Sequence, residues 1–371
     1  MSTHRDVVVI GGGQAGLAIG YHLARQGRDF TILDAAPELG SAWRSRWDSL
    51  KLFTPARHDG LPGRAFPGPP DSYPTRDDVV DYLTRYAHDF DLPVELNSPV
   101  RGLSKIDDGY RVELDGRACH AAQVVVATGP FQMPRMPVAL AESLDPHVVQ
   151  LHSSDYRRPE ALPAGRVLVV GGGNTGFQIA EELANDRSRE AHLSVGSRQT
   201  PLPTRILGHE LFDVLHGTGL MAKPVTSRVG RHLKGRDTLV GSSPRRARRQ
   251  GVHMQPRTVS TSGHRVGFDD GTSLTVDAVV WATGFDRDHS WIEAPVFDQA
   301  GQVMHERGVT TSPGLYFLGL PWMHTRGSAL LGFVKHDAEH IAAHIGSYAQ
   351  DSGERPVHRT DTAPAKRMAP A

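Results

Sequence analysis

The sequence predicts an α/β protein with two Rossmann-like, three-layer dinucleotide-binding domains, one of them inserted into the other. The pattern Gly-x-Gly-x-x-Gly occurs at residues 11–16 and again at 171–176, each time between an apolar strand and a helical pattern. The tripeptide Ala-Thr-Gly ends an apolar strand at 127–129 and again at 282–284. The chain therefore contains two related halves, one nested inside the other.

The first glycine fingerprint follows the apolar, β-branched run Val7–Ile10. Its glycines permit a tight turn and close approach of the backbone to a pyrophosphate, which the N-terminus of the following helix stabilises. The next strand ends at Asp34, whose carboxylate accepts hydrogen bonds from ribose hydroxyls and repels a 2′-phosphate. This half is predicted to bind an adenosine diphosphate with free ribose hydroxyls.

The second fingerprint, at 171–176, has no such carboxylate, because no acidic residue follows its second strand before Glu210. Arg198 stands near the position where a cation meets a 2′-phosphate. Thr200 and Arg205 are lesser candidates for the same contact. This half is therefore predicted to prefer NADPH to NADH, although an ordinary exposed arginine at 198 is the alternative.

Composition limits the remaining function classes. The chain has 371 residues, 39% of them hydrophobic, 22% charged, and a formal net charge of zero, which indicates a soluble globular protein without affinity for nucleic acid. No apolar run reaches the roughly 18 residues of a membrane span, and the first strand leaves no room for a signal peptide, so we expect a cytoplasmic protein. The 20 histidines show no metal-ligand spacing.

Several other elements follow from local patterns. The aromatic-rich stretch 38–63 either lies near a cofactor or packs on its own domain, and Thr75 is predicted to cap a helix over 76–90. Alternating segments with Asp-Gly turns over 92–126 predict a small antiparallel set of strands. A helix is expected to start near Ser328, and the polar tail 350–371 is predicted to be disordered.

The two fingerprints, the two Ala-Thr-Gly strand ends and the segment GLYFLGLPWMHTRGSALLGF together resemble the flavin-containing monooxygenases. The likeness is closer to their small bacterial relatives and spans roughly residues 5–345. It implies that the first half binds FAD and the second NADPH. It also implies an FAD domain over 1–157 and 276–349, with the NADPH domain, 158–275, inserted into it.

The residues and the resemblance together give a set of candidate site residues. Asn174, Lys51, His324 and Arg326 are the candidate catalytic or flavin-proximal polar groups. The predicted cofactor-binding residues are Gly11, Gly13, Gln14, Ala15, Gly16, Asp34, Ala35, Gly40, Trp43, Arg44, Val100, Ala127, Thr128, Gly129, Gly319 and Leu330, together with Gly171, Gly173, Asn174, Thr175, Gly176, Arg198, Thr200, Ala282, Thr283 and Gly284.

The chain departs from the family at its linker signature, Phe-x-Gly-x-x-x-His-x-x-x-Tyr/Phe. His152 and Tyr156 have the required mutual spacing, but Pro146 and Val148 stand where phenylalanine and glycine are expected. This half signature supports the superfamily and questions full monooxygenase behaviour. A hydrogen-bonded pair at a domain hinge is the alternative role for His152 and Tyr156.

The resemblance implies that NADPH reduces FAD, which captures O2 as a C4a-(hydro)peroxyflavin and oxygenates a small organic sulfide, amine or ketone. The alternative is an NADPH-dependent flavin oxidoreductase or oxidase without a stable peroxyflavin. Disulfide reduction needs paired thiols, whereas Cys119 is the one cysteine. A non-enzymatic nucleotide-binding module is a third class, and a homodimer is the candidate assembly.

Overall fold

A computed structural model describes residues 3–235 and 238–351. Within those ranges, two sheets with parallel cores organise the chain, one of ten strands and one of five. Helices cover one apolar face of each sheet. The antiparallel strands of the first sheet cover its other face, and the small three-stranded sheet packs on the other face of the second. No helix in the described ranges has both the length and the apolar character needed to cross a membrane.

The parallel part of the first sheet has the strand order of a Rossmann fold. Its strands, from one edge inward, are Val94–Glu95, Phe30–Leu33, Thr3–Ile10, Arg117–Val126 and Leu315–Phe317. The predicted antiparallel segments are observed, because Val100–Ile106, Gly109–Leu114 and Arg117–Val126 form a meander. The sheet is completed by Ile292–Glu293, His305–Glu306 and Val309–Thr310.

The second sheet is entirely parallel. Its strands, in spatial order, are His253–Gln255, Arg189–Ser194, Gly165–Val170, Ala278–Trp281 and Val149–His152. In each sheet the strand before Ala-Thr-Gly pairs with the strand before the glycine fingerprint, with Ile10 opposite Val126 and Val170 opposite Trp281. The predicted fold class, two Rossmann-like units with one nested in the other, is therefore observed.

The inserted unit extends beyond the predicted limits of 158 and 275. Its sheet takes an edge strand from Val149–His152 and an inner strand from Ala278–Trp281, both of which lie outside that range. The reason is the hydrogen-bonded register of the second Ala-Thr-Gly strand, which pairs with Gly165–Val170 and not with the first sheet.

The helices follow local signals at several ends. Thr75 caps the predicted helix, observed over Arg76–Asp89, in a reciprocal capping box with Asp78. The other helices are Gln14–Arg25, Ser41–Arg44, Val138–Glu142, Asn174–Ala184, Leu211–Gly217, Arg228–Leu233, Pro244–Arg249 and Lys335–Asp351, with 3₁₀ turns at Ala56–His58, Pro159–Ala161 and Leu220–Ala222. Small two-stranded sheets pair Thr200–Leu202 with Thr238–Val240, Arg205–Ile206 with His209–Glu210, and Met133–Pro134 with Phe285–Asp286. A three-stranded sheet contains Thr258–Ser262, Arg265–Phe268 and Ser273–Thr275.

The last helix begins at Lys335 and not near Ser328, as the sequence had indicated. The Ser328 hydroxyl accepts hydrogen bonds from the preceding backbone amides of His324 and Thr325, so it stabilises a turn and does not cap a following helix. The helix runs to Asp351 and thus includes the first two residues of the predicted tail. The remainder of that tail, 352–371, lies outside the described residues.

The close packing of the fingerprint glycines generates a stability prediction. A Cβ atom on Gly16 would lie 1.9 Å from the Gly11 carbonyl oxygen, and one on Gly176 would lie 2.0 Å from that of Gly171. Gly16→Ala and Gly176→Ala are each expected to lower the free energy of unfolding by about 2–3 kcal/mol, measured by urea denaturation. Gly217→Ala, where nothing lies within 4 Å, is the control. Equal stability in all three variants would contradict this account.

Candidate cofactor and active site

The first binding turn has the backbone geometry that a pyrophosphate site requires. Gly11 has φ +110°, and a Cβ there would lie 2.5 Å from the Ala127 carbonyl oxygen. Gly16 is equally closed to a side chain, whereas no atom lies within 4 Å of a Cβ placed on Gly13. The tight positions therefore hold the turn against the sheet, and Gly13 leaves open space over the helix N-terminus, where an anion is stabilised.

Asp34 anchors this turn from the neighbouring strand. Its Oδ2 accepts the Gly12 amide at 2.6 Å and its Oδ1 accepts the Ala36 amide at 2.8 Å. The Ser98 amide donates to the Asp34 carbonyl at 2.8 Å, which brings the strand that begins at Val100 to the same edge. Ala35 is exposed beside it. The predicted ribose-facing residues thus lie together.

The other predicted residues of the first site also converge on the fingerprint. Trp43 Nε1 donates to Gln14 Oε1 at 3.1 Å, and a Cβ on Gly319 would lie 2.8 Å from Ala15 Cβ. Gly129, at φ +71°, has no atom within 4 Å of a Cβ position. Three other predicted residues have partners outside the turn: Gly40 packs on Val80, Arg44 pairs with Glu38 at 2.7 Å, and Thr128 accepts a hydrogen bond from Gln132 at 3.0 Å.

The second turn makes the same close backbone contacts as the first. Gly171 has φ +138° and approaches the Ala282 carbonyl oxygen, 2.1 Å from a Cβ position, as Gly11 approaches Ala127. Gly173 and Gly284 leave open space, as Gly13 and Gly129 do. Thr175 lies half-buried in the first turn of the helix, and Thr283 donates from its hydroxyl to the Arg135 carbonyl oxygen. The residues therefore fit a second dinucleotide.

The two turns differ at the ribose side. A Cβ on Gly12 would meet the Asp34 carboxylate, whereas a Cβ on the matching Gly172 would lie 2.5 Å from Gln199 Nε2. Val195, which follows the second strand as Asp34 follows the first, places its Cγ1 2.8 Å from that Cβ position. The neutral amide of Gln199 lies beside it, where the first turn has its carboxylate. This residue was not predicted, because the loop after the second strand is longer and the motif spacing does not carry over. An uncharged group there removes the repulsion of a 2′-phosphate.

Two arginines lie near that position. Arg198 is exposed and has no ion-pair partner in residues 3–235 and 238–351. Arg257, which sequence reasoning missed, donates from Nη2 to the Gly196 carbonyl oxygen. It follows strand His253–Gln255, whose parallel pairing with Arg189–Ser194 brings both carboxyl ends to one edge. Thr200 and Arg205 are exposed in short strands farther along the same segment.

Two of the predicted catalytic residues meet at Thr238. Asn174 Oδ1 accepts the Val240 amide at 2.9 Å, and its Nδ2 donates to the Thr238 carbonyl oxygen at 3.2 Å. Arg326, from the segment after the last strand of the first sheet, donates from Nη2 to Thr238 Oγ1. The side-chain amide of Asn174 is thus engaged in positioning strand Thr238–Val240, and Arg326 joins that strand to the first unit.

The other two catalytic candidates are not brought to this cluster by any hydrogen bond in the described residues. Lys51 is exposed and forms an isolated bridge with Thr75. The His324 carbonyl oxygen accepts the Val225 amide at 2.7 Å, and burial lowers the pKa of its imidazole. Trp322, two residues earlier, has φ +57°, a strained conformation for a bulky residue that is frequent at functional sites.

The Tyr156 amide donates to the His152 carbonyl oxygen at 3.2 Å, whereas the two side chains have other partners. His152 Nε2 lies 3.0 Å from the Gly284 carbonyl oxygen, at the linker that leaves the second sheet. Tyr156 donates its hydroxyl to Glu182 Oε2 at 2.8 Å, on the helix of the second fingerprint. Both contacts hold the linker region to the inserted unit, which agrees with a hinge role more closely than with contact to a reacting atom.

The comparisons with known proteins agree with this architecture. Residues 8–204, which include both fingerprints, match the family described as pyridine nucleotide-disulphide oxidoreductase. A relative in Geobacillus kaustophilus, called uncharacterized oxidoreductase CzcO-like, is 45% identical over 91% of this chain and 97% of its own. The chain therefore belongs to the pyridine nucleotide-disulphide oxidoreductase family.

Two further proteins define its position within that family. The solved structure of a flavin-containing monooxygenase from Stenotrophomonas maltophilia is 32% identical, with a TM-score of 0.78 over 94% of this chain and 99% of that one. Probable indole-3-pyruvate monooxygenase YUCCA9 of Arabidopsis thaliana is 27% identical over 94% and 90% of the two chains. The predicted likeness to flavin monooxygenases, the flavin-dependent oxidoreductase class and the use of FAD and NADPH are thereby confirmed.

Asp59 follows the 3₁₀ turn Ala56–His58 and is fully buried. Sequence analysis did not indicate it as a candidate site residue. Thr54 donates to its Oδ1 at 2.6 Å, and burial raises the pKa of its carboxyl to about 7 despite nearby Lys335. A folded-state pKa above the unfolded value means that this group favours folding below about pH 4. That contribution is lost as pH rises through about 7.

Asp59→Asn is therefore expected to flatten the dependence of unfolding free energy on pH between about 4 and 7. The measurement is urea denaturation at a series of pH values, with Asp81→Asn, an exposed helix acid, as the control. The interpretation fails if the two variants follow the same pH curve as the unchanged chain.

The two arginines give a prediction about coenzyme choice. Arg198→Ala and Arg257→Ala are expected to raise KM for NADPH about tenfold or more, because each removes a charge-assisted contact to phosphate, with little change for NADH. Arg187→Ala, exposed at the opposite edge of the same sheet, is the control in steady-state assays with both coenzymes. Equal responses to NADPH and NADH would show that neither arginine contacts the 2′-phosphate.

Proposed function

We propose that this chain is an NADPH-dependent flavin monooxygenase that transfers one oxygen atom from O2 to a small organic substrate, either a sulfide, an amine or a ketone. The observation that carries the proposal is the cluster at Thr238. There, Asn174 of the second fingerprint and Arg326 of the first unit hold the same strand. A pyridine nucleotide and a flavin bound at the two turns would therefore share one junction.

FAD, when bound, supplies hydride acceptance and the activation of O2. The chain's own residues supply binding and orientation. Gly11, Gly13 and Asp34 hold the flavin nucleotide, whereas Gly171, Gly173 and Arg198 hold NADPH. Buried Met221 and half-buried Leu330 pack in the same apolar cluster as Val240 and keep water from the junction.

A second candidate function is an NADPH-dependent flavin oxidoreductase or oxidase that releases hydrogen peroxide. Pro146 and Val148, at the altered positions of the linker signature, favour it. Disulfide reduction, which the family description includes, is disfavoured because the sequence has one cysteine and burial raises the pKa of the Cys119 thiol. A cytoplasmic location and a homodimer stay part of the proposal.

Stopped-flow absorbance separates the two functions. The holoenzyme is reduced by NADPH without oxygen and then mixed with oxygenated buffer while the flavin spectrum is followed. A monooxygenase is expected to give a transient species distinct from reduced and oxidised flavin, with a lifetime that NADP⁺ extends. A direct return to oxidised FAD, with one hydrogen peroxide per NADPH, would contradict the proposal and favour the oxidase.

A further inference from the structure

An aromatic wall joins the two units beside the proposed flavin site. We use this name for Phe53, His58, Phe212 and Phe333. The rings of Phe53 and Phe212 stack with centroids 6.0 Å apart and an angle of 17° between their planes. His58 stacks on Phe333 at 6.1 Å, and Phe212 lies 6.3 Å from Phe333. Phe212 comes from the inserted unit, whereas the other three come from the first unit.

Charged groups fix this wall from one side. Asp213 follows Phe212, and its Oδ1 accepts Arg57 Nε at 2.9 Å and lies 2.8 Å from His58 Nε2. The hydrogen bond from Arg57 lowers the pKa of the Asp213 carboxyl to about 2, so this group is charged at neutral pH. A single carboxylate of the inserted unit therefore contacts both Arg57 and His58, and Asp71 of the first unit also pairs with Arg57.

A second contact sets the orientation of the short helix that carries Phe212. Glu210 Oε2 accepts the Phe212 amide at 2.7 Å, which caps the helix Leu211–Gly217. Tyr73 donates its hydroxyl to the other oxygen, Glu210 Oε1, at 3.0 Å. These contacts fix the start of the helix, and the Phe212 side chain, which is 1% exposed, packs against the rings of Phe53 and Phe333.

The wall borders the residues predicted to lie near the flavin. Leu330 packs in the same apolar cluster, and Lys51 lies two residues before Phe53. Phe53 and Phe333 are only partly buried, so ring surface is available to a ligand. The rest of the cluster is apolar, with Leu202, Ile206, Leu211, Leu215, Met221 and Val240 as its members. Such a surface favours a neutral aromatic molecule over a charged or small aliphatic one.

From these contacts, we propose that the aromatic wall binds the substrate and selects neutral aromatic sulfides or amines. Asp213 is the positioning residue that holds the wall through Arg57 and His58. The inference rests on the proposed function, because it places the wall beside the flavin. It also assigns a part of the substrate site to the inserted unit, whose predicted role is coenzyme binding.

Asp213→Asn tests the positioning role, since it removes the charge and keeps the size. Asp115→Asn is the matched control, because Asp115 also accepts two hydrogen bonds from one arginine, Arg101, on a distant hairpin. Methyl phenyl sulfide and dimethyl sulfide are the probes. The dissociation constant is measured from the change that each causes in the flavin absorbance of oxidised holoenzyme, without turnover, and KM and kcat are measured separately.

Asp213→Asn is expected to raise the dissociation constant and KM for methyl phenyl sulfide about tenfold, with kcat and the constants for NADPH and dimethyl sulfide nearly unchanged. Asp213→Glu is expected to restore part of the affinity. Phe53→Leu, at a ring that is only partly buried, is expected to remove the preference for the aromatic sulfide. Equal behaviour of Asp213→Asn and Asp115→Asn would overturn the proposal, as would a wild-type preference for dimethyl sulfide.

The binding measurement separates this inference from the proposed function. If the wild-type enzyme binds methyl phenyl sulfide in an Asp213-dependent manner but oxygenates neither sulfide, the wall is supported and the oxygenase fails. If both sulfides are oxygenated and Asp213→Asn matches its control, the oxygenase is supported and the wall fails. No change in flavin absorbance with methyl phenyl sulfide contradicts the placement of the wall.

Discussion

The whole architecture depends on one backbone contact that occurs twice. Where each fingerprint strand ends, a glycine at positive φ lies against the carbonyl oxygen of the Ala-Thr-Gly strand, Gly11 against Ala127 and Gly171 against Ala282. Only a residue without Cβ permits that approach. The contact fixes the start of the following helix relative to the sheet, and hence the position of the amides that face a pyrophosphate.

The two turns are alike in backbone and differ in the side chain that faces the ribose. Asp34 gives the first turn a carboxylate that also fastens the glycine loop, whereas Gln199 gives the second a neutral amide. Arg198 and Arg257 then make the edge of the second site basic. Under the proposed assignment, this difference would let the first turn bind a dinucleotide with free ribose hydroxyls and the second turn one with a 2′-phosphate.

The fold was largely predictable because its signals are local. Apolar strands followed by spaced glycines predict the two Rossmann units, and Thr75 with Asp78 predicts a helix start. The prediction that a helix starts near Ser328 was wrong. Gly332 lies against the His58 carbonyl oxygen, and this segment packs as turns. Arg257 and the pairing of Asp213 with Arg57 depend on contacts between residues far apart in sequence, which no local pattern encodes.

The predicted site residues show the same difference between local signals and contacts that are distant in sequence. The glycines, Asp34 and Trp43 converge because they belong to one motif or to its direct neighbours. Lys51 and His324, predicted as polar groups near the flavin, are not joined to Asn174 and Arg326 by any hydrogen bond in the described residues, whereas those two meet at Thr238. Position in a motif therefore predicted backbone contacts well, and it predicted the partners of individual polar side chains poorly.

The most direct test of the account is the fate of labelled oxygen. The holoenzyme turns over NADPH and methyl phenyl sulfide under ¹⁸O₂, and the products are analysed by mass spectrometry. A monooxygenase is expected to yield a sulfoxide that carries one ¹⁸O atom, formed in proportion to the NADPH consumed. Unlabelled sulfide recovered unchanged, with all the label in hydrogen peroxide, would contradict it and identify the chain as a flavin oxidase.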